Sequence, residues 1–148
     1  MRNTKLFFMK RIYMFLYLLT VIAFSMRSQS IIASCQTRNN QTFEDYYTEC
    51  YISFSIPQKK IKVTFPKSIT LSIKEIESLS SGKLTLLAKG NEGDDYKLYF
   101  NDLSDFVGSP TMTLRVDKQP YKKSAFAYTY FLDPNILIPI LNKYLENM

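Results

Sequence analysis

Hydrophobic and polar residues alternate along most of the chain after residue 30. Alternation with a period of two is the pattern of a β-strand that has one face on a core and one face in water. The runs that fit a strand are residues 51–56, 60–65, 83–89, 96–100, 111–117 and 124–131. Polar or proline-containing segments separate most of the neighbouring runs, as hairpin turns do. The pattern therefore predicts antiparallel strands.

Residues 68–81 fit two different structures. Apolar residues alternate at the start of this segment, as in a strand. Ile73, Ile76 and Leu79 have helical spacing instead, and they follow a capping-box pattern at 72–75. We expect a strand that runs into a short helix, with either structure possible for the segment.

The C-terminal segment has the pattern of a helix. Asp133 is a good N-cap, Pro134 fits the first helical position, and an apolar stripe with helical spacing follows over about 134–147. Pro139 forfeits one hydrogen bond near the start of this helix. The patterns together predict one mainly β domain at 31–148, which is an antiparallel β-sandwich or an open barrel with a C-terminal α-helix.

Residues 1–30 have the organisation of a signal peptide that forms a signal helix. Basic residues precede an unbroken apolar stretch at 12–24, which is too short to cross a bilayer comfortably. Small residues then allow cleavage near 25, before Met26, or near 30, before Ile31. We expect a periplasmic or secreted protein. Two alternatives are an uncleaved anchor through 12–24 and a lipid on Cys35, which ends a segment similar to a bacterial lipobox.

The chain has two cysteines, Cys35 and Cys50. An even number of cysteines in an exported protein is read first as disulfide bonding. A bridge between them would close a loop of about fifteen residues and stabilise the fold by roughly 3 kcal/mol. The polar residues between them are typical of a hairpin connection. We expect a disulfide here. Two buried free thiols are the alternative if the protein is not exported.

Composition removes several classes of function. The chain has no histidine, which excludes Ser-His-Asp and Cys-His nucleophile systems and most catalytic zinc sites. Its formal charge is +6, from 19 basic and 13 acidic residues. Five of the basic residues and none of the acidic residues precede residue 29, so a chain that begins at Ile31 carries a charge of only +1. We therefore expect no nucleic-acid partner.

Paired carboxylates are the remaining route to hydrolytic chemistry. The acidic pairs are Asp94/Asp95, Asp102/Asp105 and Glu75/Glu77. All of them lie in polar or turn-like segments, where Asp favours local backbone hydrogen bonds. The stretches around Asn91 and Asn101 do not have the spacing of a known calcium loop. We expect no catalytic residue, no metal site and no cofactor.

Tyrosine is unusually frequent in the strand-like runs. A tyrosine side chain suits a strand because it has an apolar ring and a polar end, and it is also enriched at protein interfaces. The sequence favours a structural role for most of these residues and allows an interaction surface. The candidates for that surface are Tyr46, Tyr47, Tyr51, Tyr128 and Tyr130.

The segment from Leu84 to Leu145 resembles small exported bacterial proteins of the VasI type, which are associated with type VI secretion. The resemblance rests on the order of strands and above all on the LRVDK motif at 114–118. The Cys35 region and the CYIS motif at 50–53 are loosely similar to invasion-associated locus B proteins. This chain lacks the tryptophan expected after the RVD motif. The resemblance implies a periplasmic β-protein that acts by binding, with no catalytic residue to carry over.

These observations predict an exported, non-enzymatic binding or accessory protein of the bacterial envelope or secretion apparatus. Its partner would be another protein of the envelope or extracellular space. It would contact the membrane only through an uncleaved leader. The alternatives are a small carboxylate-dependent hydrolase and a membrane- or lipid-anchored envelope component.

Overall fold

The computed structural model describes Met14 and residues 28–38, 41–102, 110–119 and 127–148. The signal-peptide prediction lies outside these residues except for Met14 and residues 28–30. The strands are β1 (Gln29–Arg38), β2 (Asp45–Ser55), β3 (Lys60–Val63), β4 (Ile69–Ser80), β5 (Lys83–Gly90), β6 (Asp95–Asp102), β7 (Met112–Gln119) and β8 (Ala127–Leu132). One helix, α1 (Pro134–Glu146), follows them.

The eight strands form a closed antiparallel barrel in chain order. Closure depends on a short ladder in which Ser34, Cys35 and Gln36 of β1 face Phe131, Tyr130 and Thr129 of β8. The predicted mainly β antiparallel fold with a C-terminal helix is confirmed. The predicted choice between a sandwich and an open barrel is replaced by a closed barrel, because the two ends of the sheet pair with each other.

Because hydrophobic and polar residues alternate, every second side chain along a strand points into the barrel. Phe54, Ile61, Leu71, Leu98 and Leu114 are fully buried and belong to one continuous core. An eight-stranded barrel has an interior just wide enough for side chains to fill it. Here the interior is largely occupied by apolar residues of the strands and of α1.

Within residues 68–81, strand β4 extends over Ile69–Ser80, and no helix follows it there. β4 continues to Ser80 and pairs with β5 along most of its length, with shifts in register after Ile73 and after Ile76. Gly82 closes the hairpin in a left-handed conformation, with φ of 70°. The predicted short helix is wrong because pairing with β5 satisfies the backbone of this segment, whereas the helical spacing was a local coincidence.

Helix α1 closes one end of the barrel. The side chain of Asp133 accepts a hydrogen bond from the backbone N–H of Asn135 at 2.8 Å, which is the predicted N-cap. The hydroxyl of Tyr144 lies 2.9 Å from the carbonyl oxygen of Ser55 and also contacts the carbonyl oxygen of Lys60. Tyr144 thereby ties α1 to the turn between β2 and β3. Burial raises the pKa of Tyr144, so its hydroxyl stays protonated and able to donate at neutral pH.

The predicted disulfide is not formed in the structure. Cys35 and Cys50 are both buried free thiols. The register of β1 and β2 places Cys50 opposite Ala33 and Cys35 opposite Thr48, so the two cysteines are diagonal neighbours on the inner face. Diagonal neighbours have Cα atoms about 7–8 Å apart, and a disulfide needs less than about 7 Å. A bridge would therefore require the backbone to move.

Candidate interaction surface at the edge of β2

Strand β2 is longer than its neighbour β3, and this difference leaves an open edge. β1 pairs with β2 over its whole length, from Gln29 opposite Phe54 to Arg38 opposite Asp45. β3 pairs only with the last four residues of β2, Ile52–Ser55. Within the part of the chain that the structure describes, no strand pairs with residues 45–51 on the side away from β1. We call this side of residues 45–49 the β2 edge.

Thr64 ends the pairing between β2 and β3. Its backbone N–H donates to the carbonyl oxygen of Tyr51 at 3.2 Å, and its hydroxyl accepts from the N–H of Tyr51 at 3.1 Å. The backbone groups of Tyr51 therefore point away from β1. Because the direction of these groups alternates along an antiparallel strand, the N–H and C=O of Asp45, Tyr47 and Glu49 point the same way. They face the β2 edge.

Exposed aromatic side chains lie beside this edge. Tyr46, Tyr47 and Tyr51 are 48%, 60% and 51% exposed. The ring of Tyr47 reaches across β1 to the ring of Phe131 on β8, with centroids 5.8 Å apart. Ile32 lies opposite Tyr51 in the register and is also exposed. We call the outer-face residues Ile32, Tyr47, Tyr51 and Phe131 the tyrosine face.

The same region carries an excess of negative charge. Glu44, Asp45 and Glu49 are exposed on or beside the start of β2. The basic side chain nearest to them in the hairpin is Arg38, which lies opposite Asp45 in the register. The guanidinium of Arg38 packs over the ring of Phe43 at 5.6 Å and donates to the carbonyl oxygen of Phe43 at 3.3 Å. The β2 edge is therefore acidic as well as aromatic.

Two of the five predicted surface tyrosines lie elsewhere. Tyr130 is only 1% exposed, and its hydroxyl donates to the carbonyl oxygen of Phe65 at 2.9 Å. Tyr128 is half-buried and lines a cavity at the barrel mouth. Both point inward because they occupy the inner positions of β8, and burial raises the pKa of both hydroxyls. Tyr130 is a core residue, so its predicted place on an interaction surface is wrong.

The cavity at the mouth of the barrel is small. Its apolar wall includes Ile69 and Val116, and two tyrosines, Tyr96 and Tyr128, also line it. Lys67 at its rim forms an ion pair with Glu92 at 2.8 Å. The volume of about 60 Å³ holds no more than a few water molecules.

A larger apolar groove of about 260 Å³ lies at the other end of the barrel, between α1 and the ends of β4 to β7. Its lining includes Leu79 and Ile138, which are both exposed. The groove is remote from the β2 edge. Helix α1 lies at the end of the barrel where β2 ends, whereas the β2 edge is at the start of β2.

The members of the acidic pairs that the structure describes lie apart from one another on the barrel, except for neighbours along the chain. Asp94 pairs with Lys118, and its neighbour Asp95 pairs with Lys89. Asp95 and Asp102 lie at opposite ends of β6. The remaining members are Glu75, which is exposed on β4, Glu77, which pairs with Lys97, and Asp105, which lies outside the described residues. Among the residues described, no three His, Cys, Asp or Glu side chains are grouped to hold a metal ion.

The described residues contain no helix that is long and apolar enough to span a membrane.

Burial makes the two thiols poor nucleophiles. Desolvation raises the pKa of Cys35 to about 12, and it raises the pKa of Cys50 as well. The thiolate is the reactive form, so at pH 8 we expect the reduced, folded protein to react with a disulfide reagent such as Ellman's reagent at least about 100-fold more slowly than the unfolded protein. The measurement compares the rates with and without guanidinium chloride. Equal rates would contradict the burial of both cysteines.

No protein-family model, no curated protein and no solved structure matches this chain. The resemblance to VasI-type and invasion-associated locus B proteins therefore stays a prediction.

Proposed function

We propose that this chain is an exported, non-enzymatic binding protein of the bacterial envelope or secretion apparatus, and that it holds a partner protein against the tyrosine face. The observation that carries the proposal is the group of exposed side chains on the outer surface of β8, β1 and β2. Ile32, Tyr47 and Tyr51 are each at least half exposed. Phe131 joins them through its contact with Tyr47.

The four side chains form two neighbouring pairs, Tyr47 with Phe131 and Tyr51 with Ile32. Single exposed apolar residues are normal, but contiguous ones mark interaction sites. Tyrosine is enriched at interfaces because its ring buries a large apolar area and its hydroxyl still finds a hydrogen-bond partner. These side chains stand on paired strands of a barrel, so little backbone ordering is needed when a partner binds.

The acidic pairs give less support to a hydrolase. A hydrolase of this type needs two carboxylates about 5–10 Å apart on either side of a substrate. Asp94 and Asp95 each have a lysine partner of their own, and Asp102 lies at the far end of the same strand. Of the two pockets described above, the cavity at the barrel mouth is lined by none of these acids, and the groove beside α1 is lined by Asp102 without another of the described acids. The binding protein is therefore the better-supported proposal.

The start of β1 bears on the proposed export. Cleavage before Ile31 would remove Gln29 and Ser30, which pair with Phe54 and Ser53 of β2. The hydroxyls of Ser30 and Ser53 are hydrogen bonded at 2.7 Å. Cleavage before Met26 keeps all of β1, and we propose that site. The same reasoning disfavours lipidation of Cys35, which would remove the first part of β1 with the leader.

The intact mass of the protein recovered from outside the cytoplasm tests the proposed export. We expect a chain that begins at Met26. A chain that keeps its leader, or one that begins with a lipid-bearing Cys35, would contradict soluble export and favour an anchored component instead.

Site-specific cross-linking tests the proposed surface. A photo-reactive amino acid at position 47 or 51 is expected to cross-link the exported protein to one discrete partner in the cells that make it. Glu75 is the control position, because it is exposed on β4 and lies away from the tyrosine face. The proposal fails if positions 47 and 51 give no cross-linked product, or the same products as position 75.

A further inference from the structure

We infer that the partner contributes an extended basic segment, which adds as a further strand to the β2 edge. This inference rests on the proposed function, because the β2 edge borders the tyrosine face. It goes further by naming the mode of binding and the chemistry of the segment. Three properties of the described residues carry it: unpaired backbone groups, an abrupt end to the ladder, and negative charge.

The β2 edge offers backbone hydrogen bonds that no described strand of the barrel uses. In a closed barrel the strands normally leave no edge, and an open edge is a template for pairing with another chain. Here the N–H and C=O groups of Asp45, Tyr47 and Glu49 point away from β1, by alternation from Tyr51. An added strand gains affinity from main-chain hydrogen bonds of this kind.

Thr64 sets the length of the available edge. Its side chain occupies the hydrogen-bonding groups of Tyr51, which an added strand would otherwise use next. The space between Thr64 and the start of β2 therefore admits a segment that faces residues 45–49. Lys62, beyond Thr64, lies opposite Ser53 on β2 and would repel a basic segment that extended further.

The side chains along the edge define the chemistry of the segment. Asp45, Tyr47 and Glu49 share the outer face of β2, in the order acidic, aromatic, acidic. Residues directly opposite on neighbouring strands interact through their side chains, and both opposite charges and aromatic pairs are favourable. The complementary segment therefore has basic, aromatic and basic residues at alternate positions, which all face outward when it pairs.

The same charges argue against a second copy of this chain. If the β2 edges of two copies paired in antiparallel fashion, the acidic residues Asp45 and Glu49 of one copy would lie against the acidic residues Asp45 and Glu49 of the other. Glu44, beside the edge, would add to the repulsion. Charged side chains on an edge strand are a common device that prevents pairing between identical sheets. The β2 edge therefore discourages self-association and favours a basic partner.

Defined peptides test this inference with the mature protein. The first peptide is Lys-Val-Tyr-Val-Lys with blocked ends and a fluorophore, and the second has Glu in place of both Lys residues. The third peptide has the sequence of the first and carries N-methyl groups on the three alternate backbone amides that would face β2.

Fluorescence anisotropy measures the affinity of the protein for each peptide. We expect the first peptide to bind at least about tenfold more tightly than the second, because two cross-strand charge pairs change from attraction to repulsion. We expect the third to lose measurable binding.

Two charge-reversal variants provide the matched comparison. Glu49→Lys is expected to weaken binding of the basic peptide at least about threefold, through the loss of one cross-strand charge pair. Glu75→Lys makes the same change of charge at an exposed position on β4 and is expected to leave binding unchanged. Equal effects of the two variants would indicate a general attraction between charges and would overturn the inference.

The outcomes separate this inference from the proposed function. If the N-methylated peptide binds as well as the first, the segment docks through side chains only, and strand addition is wrong. If none of the peptides binds while cross-links at position 47 persist, this inference fails and the proposed binding protein stands. If the cross-links are missing as well, both fail. If the chain alone forms a dimer and a peptide dissociates that dimer, a second copy of the chain occupies the β2 edge. This result would also overturn the inference.

Discussion

Replacing Tyr144 by alanine lowers the free energy of unfolding by about 3–5 kcal/mol, which is the usual cost of truncating a large buried aromatic side chain. Tyr144 is 2% exposed, and its ring packs edge-on against Phe54 with centroids 6.1 Å apart. The variant also leaves the carbonyl oxygens of Ser55 and Lys60 without the hydroxyl that they share. Guanidinium chloride denaturation, followed by circular dichroism, measures the change.

Two companion variants separate the contributions at this position. Tyr144→Phe keeps the ring and removes only the hydroxyl, so we expect a loss of about 1–2 kcal/mol. Ile136→Ala makes a truncation on the exposed side of the same helix, where we expect a change of less than about 0.5 kcal/mol. If Tyr144→Ala is as mild as Ile136→Ala, α1 does not close the barrel in the way described.

Proline substitutions at two neighbouring residues of β2 have very different expected costs. Thr48→Pro removes an N–H that points toward β1, where Thr48 pairs with Cys35, so we expect a loss of about 2–3 kcal/mol. Glu49→Pro removes an N–H that faces the β2 edge, so we expect a loss of less than about 1 kcal/mol. Denaturation of the two variants under the same conditions gives the comparison.

Glu49→Ala is the control for the loss of the Glu49 side chain, which is exposed and makes a small contribution to stability. Glu49→Pro is also expected to abolish binding of the basic peptide while the barrel stays folded, since the ring blocks the edge. Equal destabilisation by proline at 48 and 49 would show that both sides of β2 are paired, and the β2 edge would not exist.

Much of the fold follows from local patterns in the sequence. The alternation at 51–56 and 96–100 depends only on which face of a strand contacts the core, and both runs lie within observed strands or at their ends. The helix also has local signals, since Asp133 and Pro134 define its start without reference to the rest of the chain.

The features that the sequence did not predict depend on contacts between distant residues. Closure of the barrel requires β1 to meet β8, which are separated by most of the chain. The strand identity of residues 74–80 depends on pairing with β5, and it overrides the helical spacing. The offset of Cys35 and Cys50 is a matter of register, which the number of residues between them does not determine.

The candidate surface was only partly predictable for the same reason. Residue type alone selects Tyr46, Tyr47 and Tyr51, and all three are exposed. Residue type also selects Tyr130, which is buried. Alternation along a strand shows which residues share a face but does not show which face is inside. The β2 edge had no local signal, because it results from the difference in length between β2 and β3.

Hydrogen exchange at single residues of β2 distinguishes an open β2 edge from a strand that is paired on both sides. We expect exchange rates, measured by NMR on the mature protein, to alternate along β2. The amides of Tyr47 and Glu49 exchange rapidly, and those of Tyr46, Thr48 and Cys50 are protected by β1. Addition of the basic peptide is expected to slow exchange at Tyr47 and Glu49 and to leave the other three unchanged. Uniform protection along residues 46–50 in the free protein, or no change at Tyr47 and Glu49 when the peptide is bound, would contradict an open β2 edge that receives a strand.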